Sequence, residues 1–198
     1  ITRDVASRPD LDVYGLRPFL SCKYLFDYRG DGKSGSLNSF VDENGNTRMP
    51  GWKYLRTQNR FDIYRNEYYI PMGYTFDKFI AEEEFDLVTN AHKSEALLYA
   101  MVLPRDLMKK YSDITGYSDE KYKLLYGKHP EDYDSITEKF DYSNSDYKKV
   151  CNLRALNSCT SFEYTDNGFK AVYNNKKGDD NLLFFSVPYS DGFTATVN

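Results

Sequence analysis

Ser158–Asn175 reads SCTSFEYTDNGFKAVYNN. Two runs rich in aromatic and β-branched residues flank Asn167-Gly168, and an Asn-Gly pair between such runs is the strongest short-range hairpin signal, because both residues tolerate the positive φ of a tight turn. Further on, Leu182–Val187 (LLFFSV) is almost wholly apolar and aromatic, as a strand buried on both faces should be. Pro188-Tyr189-Ser190-Asp191-Gly192 is turn chemistry, since Pro fixes φ, Asp bonds back to its own backbone and Gly accepts φ > 0. Phe193–Val197 then alternates large and small like another strand. Two or three such strands cannot bury a face unaided. They are expected to pair or pack with strands from the other end of the chain, which makes the fold class α+β: an antiparallel sheet or sandwich of N- and C-terminal strands with a helical insertion between them.

The N-terminal part supplies those strands. Phe19–Tyr28 (FLSCKYLFDY) has strand-like density and ends in the turn-rich RGDGKSGS; Asn44-Gly45 and Pro50-Gly51 punctuate the next stretch of chain. FDIYRNEYYIPMGYTF, from Phe61 to Phe76, gives two extended runs around Arg65-Asn66-Glu67, with Pro71 marking the second as an edge strand or an irregular crossing. From Thr89 the period changes. Ala96, Leu97, Ala100 and Met101 line one helical face, and Pro104 ends that helix and suits the start of the next. A short helix is expected after Ser118, capped by that serine and closed by Gly127, and another near Ser145, with Tyr147, Val150 and Leu153 or Arg154 down one side. The expected organisation is one domain over 1–198: strands and loops in 1–88, a helical insertion in 89–157 and C-terminal strands in 158–198. The chain opens on Ile1 and stops at Asn198 with a strand still running, which reads as an excised piece of something longer.

Composition narrows the function classes. The formal charge is -4, with Lys and Arg scattered among Asp and Glu, so no basic face advertises nucleic acid or anionic lipid. The longest uncharged runs, such as ALLYAMVLP, fall well short of the roughly 20 residues that span a bilayer. The 19 tyrosines are the unusual number, explained either by amphipathic surface packing or by stacking on sugars. Cys22, Cys151 and Cys159 are too few for a disulfide framework and lack zinc-site spacing; a Cys151–Cys159 bridge stays open.

Catalytic and metal chemistry has no visible machinery. His92 and His129 stand alone beside helix ends, and no metal ligand set or cofactor motif appears. Asp27 to Gly32 echoes a calcium loop, but Arg29 occupies a ligand position and no acid closes the loop, so it reads as a turn. Glu82-Glu83-Glu84 and Asp179-Asp180 read as solvated runs rather than as a glycosidase acid pair. On residue chemistry alone the chain is a soluble α+β module with aromatic surface and no active site, suited to binding or shaping.

Three stretches together resemble the YfhO family of large bacterial polytopic membrane proteins, in the soluble extracytoplasmic part near their C-terminus. Pro18–Phe26 (PFLSCKYLF) is similar to the family's S-V-K-Y strand through Lys23 and Tyr24. Ile63–Asp77 resembles its Y-x-N, P-x-G-[FY] element through Tyr64, Asn66, Pro71, Gly73 and Tyr74. Phe162–Asn198 resembles its GF-x-A … FSVPY-x-x-GW segment through Gly168, Phe169, Ala171, Phe185 to Tyr189 and Gly192, with Phe193 where the family has Trp. The resemblance implies a multi-spanning parent built like glycosyltransferases that use polyprenyl-phosphate sugars outside the membrane, with a cell-envelope polymer or glycolipid as acceptor and the rest of the parent as partner. It places no catalytic residue in this chain. Tyr189, Asp191 and Phe193 are the candidate sugar contacts, against the alternative that Pro188–Gly192 only turns the chain and Phe193 only fills core. Lys23, Tyr24, Asn66, Pro71, Gly73, Gly168, Pro188 and Gly192 read as structural. The runner-up is a free-standing secreted carbohydrate-binding or adhesion module.

Overall fold

The structure, a computed structural model, describes residues 11–28, 40–118, 144–174 and 182–197. Its class is α+β, with the strands of the described residues divided among four small sheets. The first sheet is antiparallel in the order β1-β3-β2, from β1 (Tyr24–Tyr28), β2 (Trp52–Gln58) and β3 (Phe61–Asn66). Asn59 and Arg60 join β2 to β3 with φ of 51° and 65°, the positive pair that matches a right-handed strand twist. One face of this sheet closes over Phe40, Met49, Trp52 and Tyr64, with the Phe40 ring 4.5 Å from Tyr64.

The ends of the chain meet where expected, but briefly. β4 (Tyr74–Phe76) pairs antiparallel with β9 (Leu182–Phe184), Tyr74 opposite Phe184 and Phe76 opposite Leu182. β5 (Phe79–Ala81) and β6 (Met101–Leu103) are parallel, and the crossover that parallel strands require carries the short helix α2 (Glu82–Phe85) and then α3 (Lys93–Tyr99). The middle of the chain is therefore part of the core. Ile70, Tyr74 and Phe76 pack with Leu98 of α3 and with Tyr147 and Cys151 of the long helix α6 (Asn144–Leu156). The hairpin of β7 (Ser161–Thr165) and β8 (Gly168–Val172) lies at the surface, fixed by Phe162, Phe169 and Phe185, whose rings sit 4.8 to 6.2 Å apart.

Several local expectations shift. Phe19–Lys23 is not strand: α1 (Leu16–Phe19) occupies its start, and the Cys22 N–H closes that helix onto Arg17 O at 2.8 Å. In α3 the buried residues are Ser94, Glu95, Ala96 and Leu98 rather than Leu97; Ala100 is buried just past the helix, and Met101 already belongs to β6, because the helix stops at Tyr99. Pro104 precedes α4 (Arg105–Lys110), which runs into α5 (Ser112–Thr115), ended by Gly116 at φ 62°. In α6 the buried choice is Arg154, and Leu153 is exposed. The hairpin turn is Asp166-Asn167, since Thr165 pairs with Gly168. Phe193–Val197 forms no strand among the described residues and is exposed throughout. Pro71 sits in an irregular crossing between β3 and β4. The helix expected after Ser118 and His129 lie outside the described residues.

Candidate functional site

The described residues of the three stretches Pro18–Phe26, Ile63–Asp77 and Phe162–Asn198 come together along one seam. Asn66 is buried at the end of β3, where its Nδ2 donates to Cys22 O at 3.3 Å and its Oδ1 accepts the Tyr68 N–H at 2.9 Å. Its own N–H donates to Lys23 O, so a single side chain and its backbone fix the entry to β1. The Tyr74 hydroxyl donates to Phe19 O at 2.9 Å, and the Phe19 ring stacks on Phe184 at 4.9 Å. Gly73, at φ 76°, lies beneath Phe185 and Cys159: a Cβ there would come within 2.6 Å of Cys159 Sγ and of the Phe185 ring. Ser186 Oγ donates to Met72 Sδ at 3.1 Å. These contacts make Asn66 and Gly73 structural. Lys23 is exposed and holds its ammonium 5.8 Å from the Tyr24 ring centroid and 5.3 Å from that of Tyr69. Gly168, at φ 155°, makes the turn exit of the β7–β8 hairpin in a conformation that L side chains rarely adopt.

The turn at Pro188–Gly192 projects from that seam into solvent. The Phe193 N–H donates to Ser190 O at 2.9 Å, which closes the turn internally. Tyr189 is 83% exposed and Phe193 47%, with Asp191 and Pro188 also exposed and open space around Gly192. Phe193 fills no core. Two rings and a carboxylate within five residues can stack on a sugar face and accept its hydroxyl hydrogens.

A second aromatic surface escapes sequence reading. In β1, Tyr24, Phe26 and Tyr28 share one face and are 49%, 54% and 44% exposed. Register sets Tyr24 beside Arg65 and Lys53, Phe26 beside Ile63 and Arg56, and Tyr28 beside Phe61 and Gln58. The result is an aromatic column on β1 and a largely cationic one on β2, three residues deep, separated by β3. The signal in the sequence was the alternation Tyr-x-Phe-x-Tyr in YLFDY, but the cations lie more than twenty residues away and only pairing aligns them.

Asp27 and Asp62 face one another across β1 and β3, both buried, and the Thr57 hydroxyl donates to Asp62 at 2.5 Å. Glu84 is not a solvated member of its acidic run: it is buried, and its Oε2 accepts the Ala81 N–H at 3.3 Å to start α2. Asp179-Asp180 lie outside the described residues. Cys151 and Cys159 are free thiols, and burial pushes Cys151 up to about 12. His92 precedes α3 and is half-buried. Among the described residues no three His, Cys, Asp or Glu side chains are grouped to hold a metal ion, and no helix is long and apolar enough to cross a membrane.

No protein-family model, curated protein or solved structure matches the chain.

Proposed function

We propose that the chain is an extracytoplasmic domain of a multi-spanning bacterial membrane protein of the YfhO type. It shapes the external site at which a lipid-linked sugar meets a cell-envelope polymer or glycolipid, and it carries no catalytic residue of its own. The observation that supports this reading most is the exposed turn bearing Tyr189, Asp191 and Phe193, held at the end of a seam formed by the same three stretches that carry the resemblance. Rings that are solvent-facing on a rigid support present a stacking platform at little ordering cost.

A secreted carbohydrate-binding or adhesion module is the second reading. It is favoured by one feature: the aromatic groups lie on the chain's own surface and need no other part of a parent to assemble them.

Sequencing the gene on both sides of this segment separates the two. Many runs of about 20 apolar residues upstream support the membrane parent, whereas a lone signal peptide sinks it. Within a membrane parent, Tyr189→Ala with Phe193→Ala should lower sugar transfer while the domain stays folded; undiminished transfer removes the turn from the site.

A further inference from the structure

We infer that, independently of any sugar binding at the Tyr189 turn, the open face of the β1-β3-β2 sheet is a docking surface for an anionic lipid bilayer. Its carriers are Tyr24, Phe26 and Tyr28 in the aromatic column and Lys53, Arg56 and Arg65 as the cations.

The composition of the face matches a headgroup layer. Amphipathic aromatic rings settle at the level where headgroups meet acyl chains, and basic side chains beside them are drawn to the surface potential of anionic lipid. All three rings are solvent-facing, Phe26 and Tyr28 flank Phe61 at 6.5 and 5.3 Å, and Ile63 is buried in the centre of the grid, so the face is firm and apolar along one side. Among the described residues of the grid and its edge, the charge along the other side is one-signed apart from Glu67, which lies 3.0 Å from Lys53 and 3.7 Å from Arg65. Arg56 makes only a neutral contact among the described residues, donating from Nε to Gln58 Oε1 at 3.2 Å, and keeps its charge available. A glycan is the poorer occupant. Sugar hydroxyls are read by amides and carboxylates at the edge of a ring platform, and among the nine residues of this grid Gln58 is the one amide and no carboxylate stands.

Flotation of the 198-residue chain with vesicles tests this directly. Phosphatidylcholine vesicles carrying about 30% phosphatidylglycerol should bind at low salt about tenfold more protein than phosphatidylcholine alone, and about 0.5 M NaCl should reverse the gain. Phe26→Ser with Tyr28→Ser, and separately Lys53→Glu with Arg56→Glu, should each cut binding about tenfold, while Tyr164→Ser, an exposed tyrosine on the β7–β8 hairpin, should not. Circular dichroism checks each variant; if the aromatic pair fails to fold, the charge pair decides alone. Absence of vesicle binding, equal binding to neutral vesicles, or binding untouched by the charge pair overturns the inference. So does saturation of this face by soluble polygalacturonate or a single-stranded oligonucleotide with vesicle binding absent, since the cations then serve a soluble polyanion.

Discussion

The guanidinium carbon of Arg154 lies 4.4 Å from the centroid of the Phe76 ring. From that stacked position it donates to Leu98 O at 3.0 Å, Tyr99 O at 2.6 Å, Thr75 O at 2.9 Å and Asp77 Oδ1 at 3.2 Å. One planar fork thus ties α6 to the end of α3 and to β4, and satisfies three carbonyls that the short elements leave open. Arg154→Met removes the donors while keeping the stem, so urea denaturation should show a loss of about 3–5 kcal/mol. Arg154→Lys keeps the charge without the fork and should still lose about 2 kcal/mol. A lysine variant as stable as the parent would mean that charge alone holds the junction.

Gly73 combines a left-handed backbone with no room for a side chain. Gly73→Ala must strain φ and displace Cys159 or Phe185, both 2.6 Å from the added carbon, at a cost of about 3 kcal/mol. The β4–β9 pairing should be the part most affected, and faster amide exchange at Tyr74 and Phe184 would report it.

Arg60 is the opposite case, a long side chain held at φ 65° in a tight two-residue turn. Arg60→Gly relieves the steric cost that the Cβ incurs there, against a smaller loss in chain entropy, and should raise stability by about 0.5–1 kcal/mol. An unchanged or lower thermal midpoint would contradict this.

Asn66 uses both ends of its amide. Asn66→Ala orphans Cys22 O and the Tyr68 N–H together, with an expected loss of about 2 kcal/mol. Asn66→Asp retains the acceptor and should lose less; an equal loss would show that the donor to Cys22 dominates.

Alkaline pH should destabilise the fold. Burial raises Cys151 from 9.0 to about 12, and burial likewise raises Tyr74 and Tyr147. These groups are neutral in the folded state while the unfolded chain releases their protons first, so stability is full below pH 9 and declines as pH rises through the folded value. The urea midpoint should fall steadily above pH 9, with a shallower initial slope in Cys151→Ser. Cys151 should also react with thiol reagents far more slowly than half-buried Cys22.

Local chemistry settled much of the architecture. The Asn-Gly signal, one residue out of register, Pro104 and the first half of the apolar run at Leu182 mark elements through propensities that need no partner, although Leu183 is exposed rather than buried on both faces; the shortage of C-terminal strands forced a meeting with the N-terminal part. The turn at Pro188–Gly192 was legible for the same reason, since its geometry is closed within five residues, but that Phe193 stays outside the core was not. Where a residue had to choose between two faces, the sequence did not decide correctly. The helical pattern placed Leu97 inward although Leu98 is the buried one, and Leu153 and Arg154 stayed alternatives until four acceptors from other elements gathered around one guanidinium. Phe193–Val197 has the pattern of a strand, yet a strand exists only if a neighbour takes its hydrogen bonds. The scattered charges showed no basic face because charge alignment is a property of strand register: Lys53, Arg56 and Arg65 become neighbours of the β1 aromatics only after β2 and β3 have paired. Sequence by itself determined the α+β class, the hairpin and the turn at Pro188–Gly192, the latter two set by short-range backbone preference. Which side chains are buried and which charges stand beside which rings was decided by tertiary pairing, whose distances lie outside any local window.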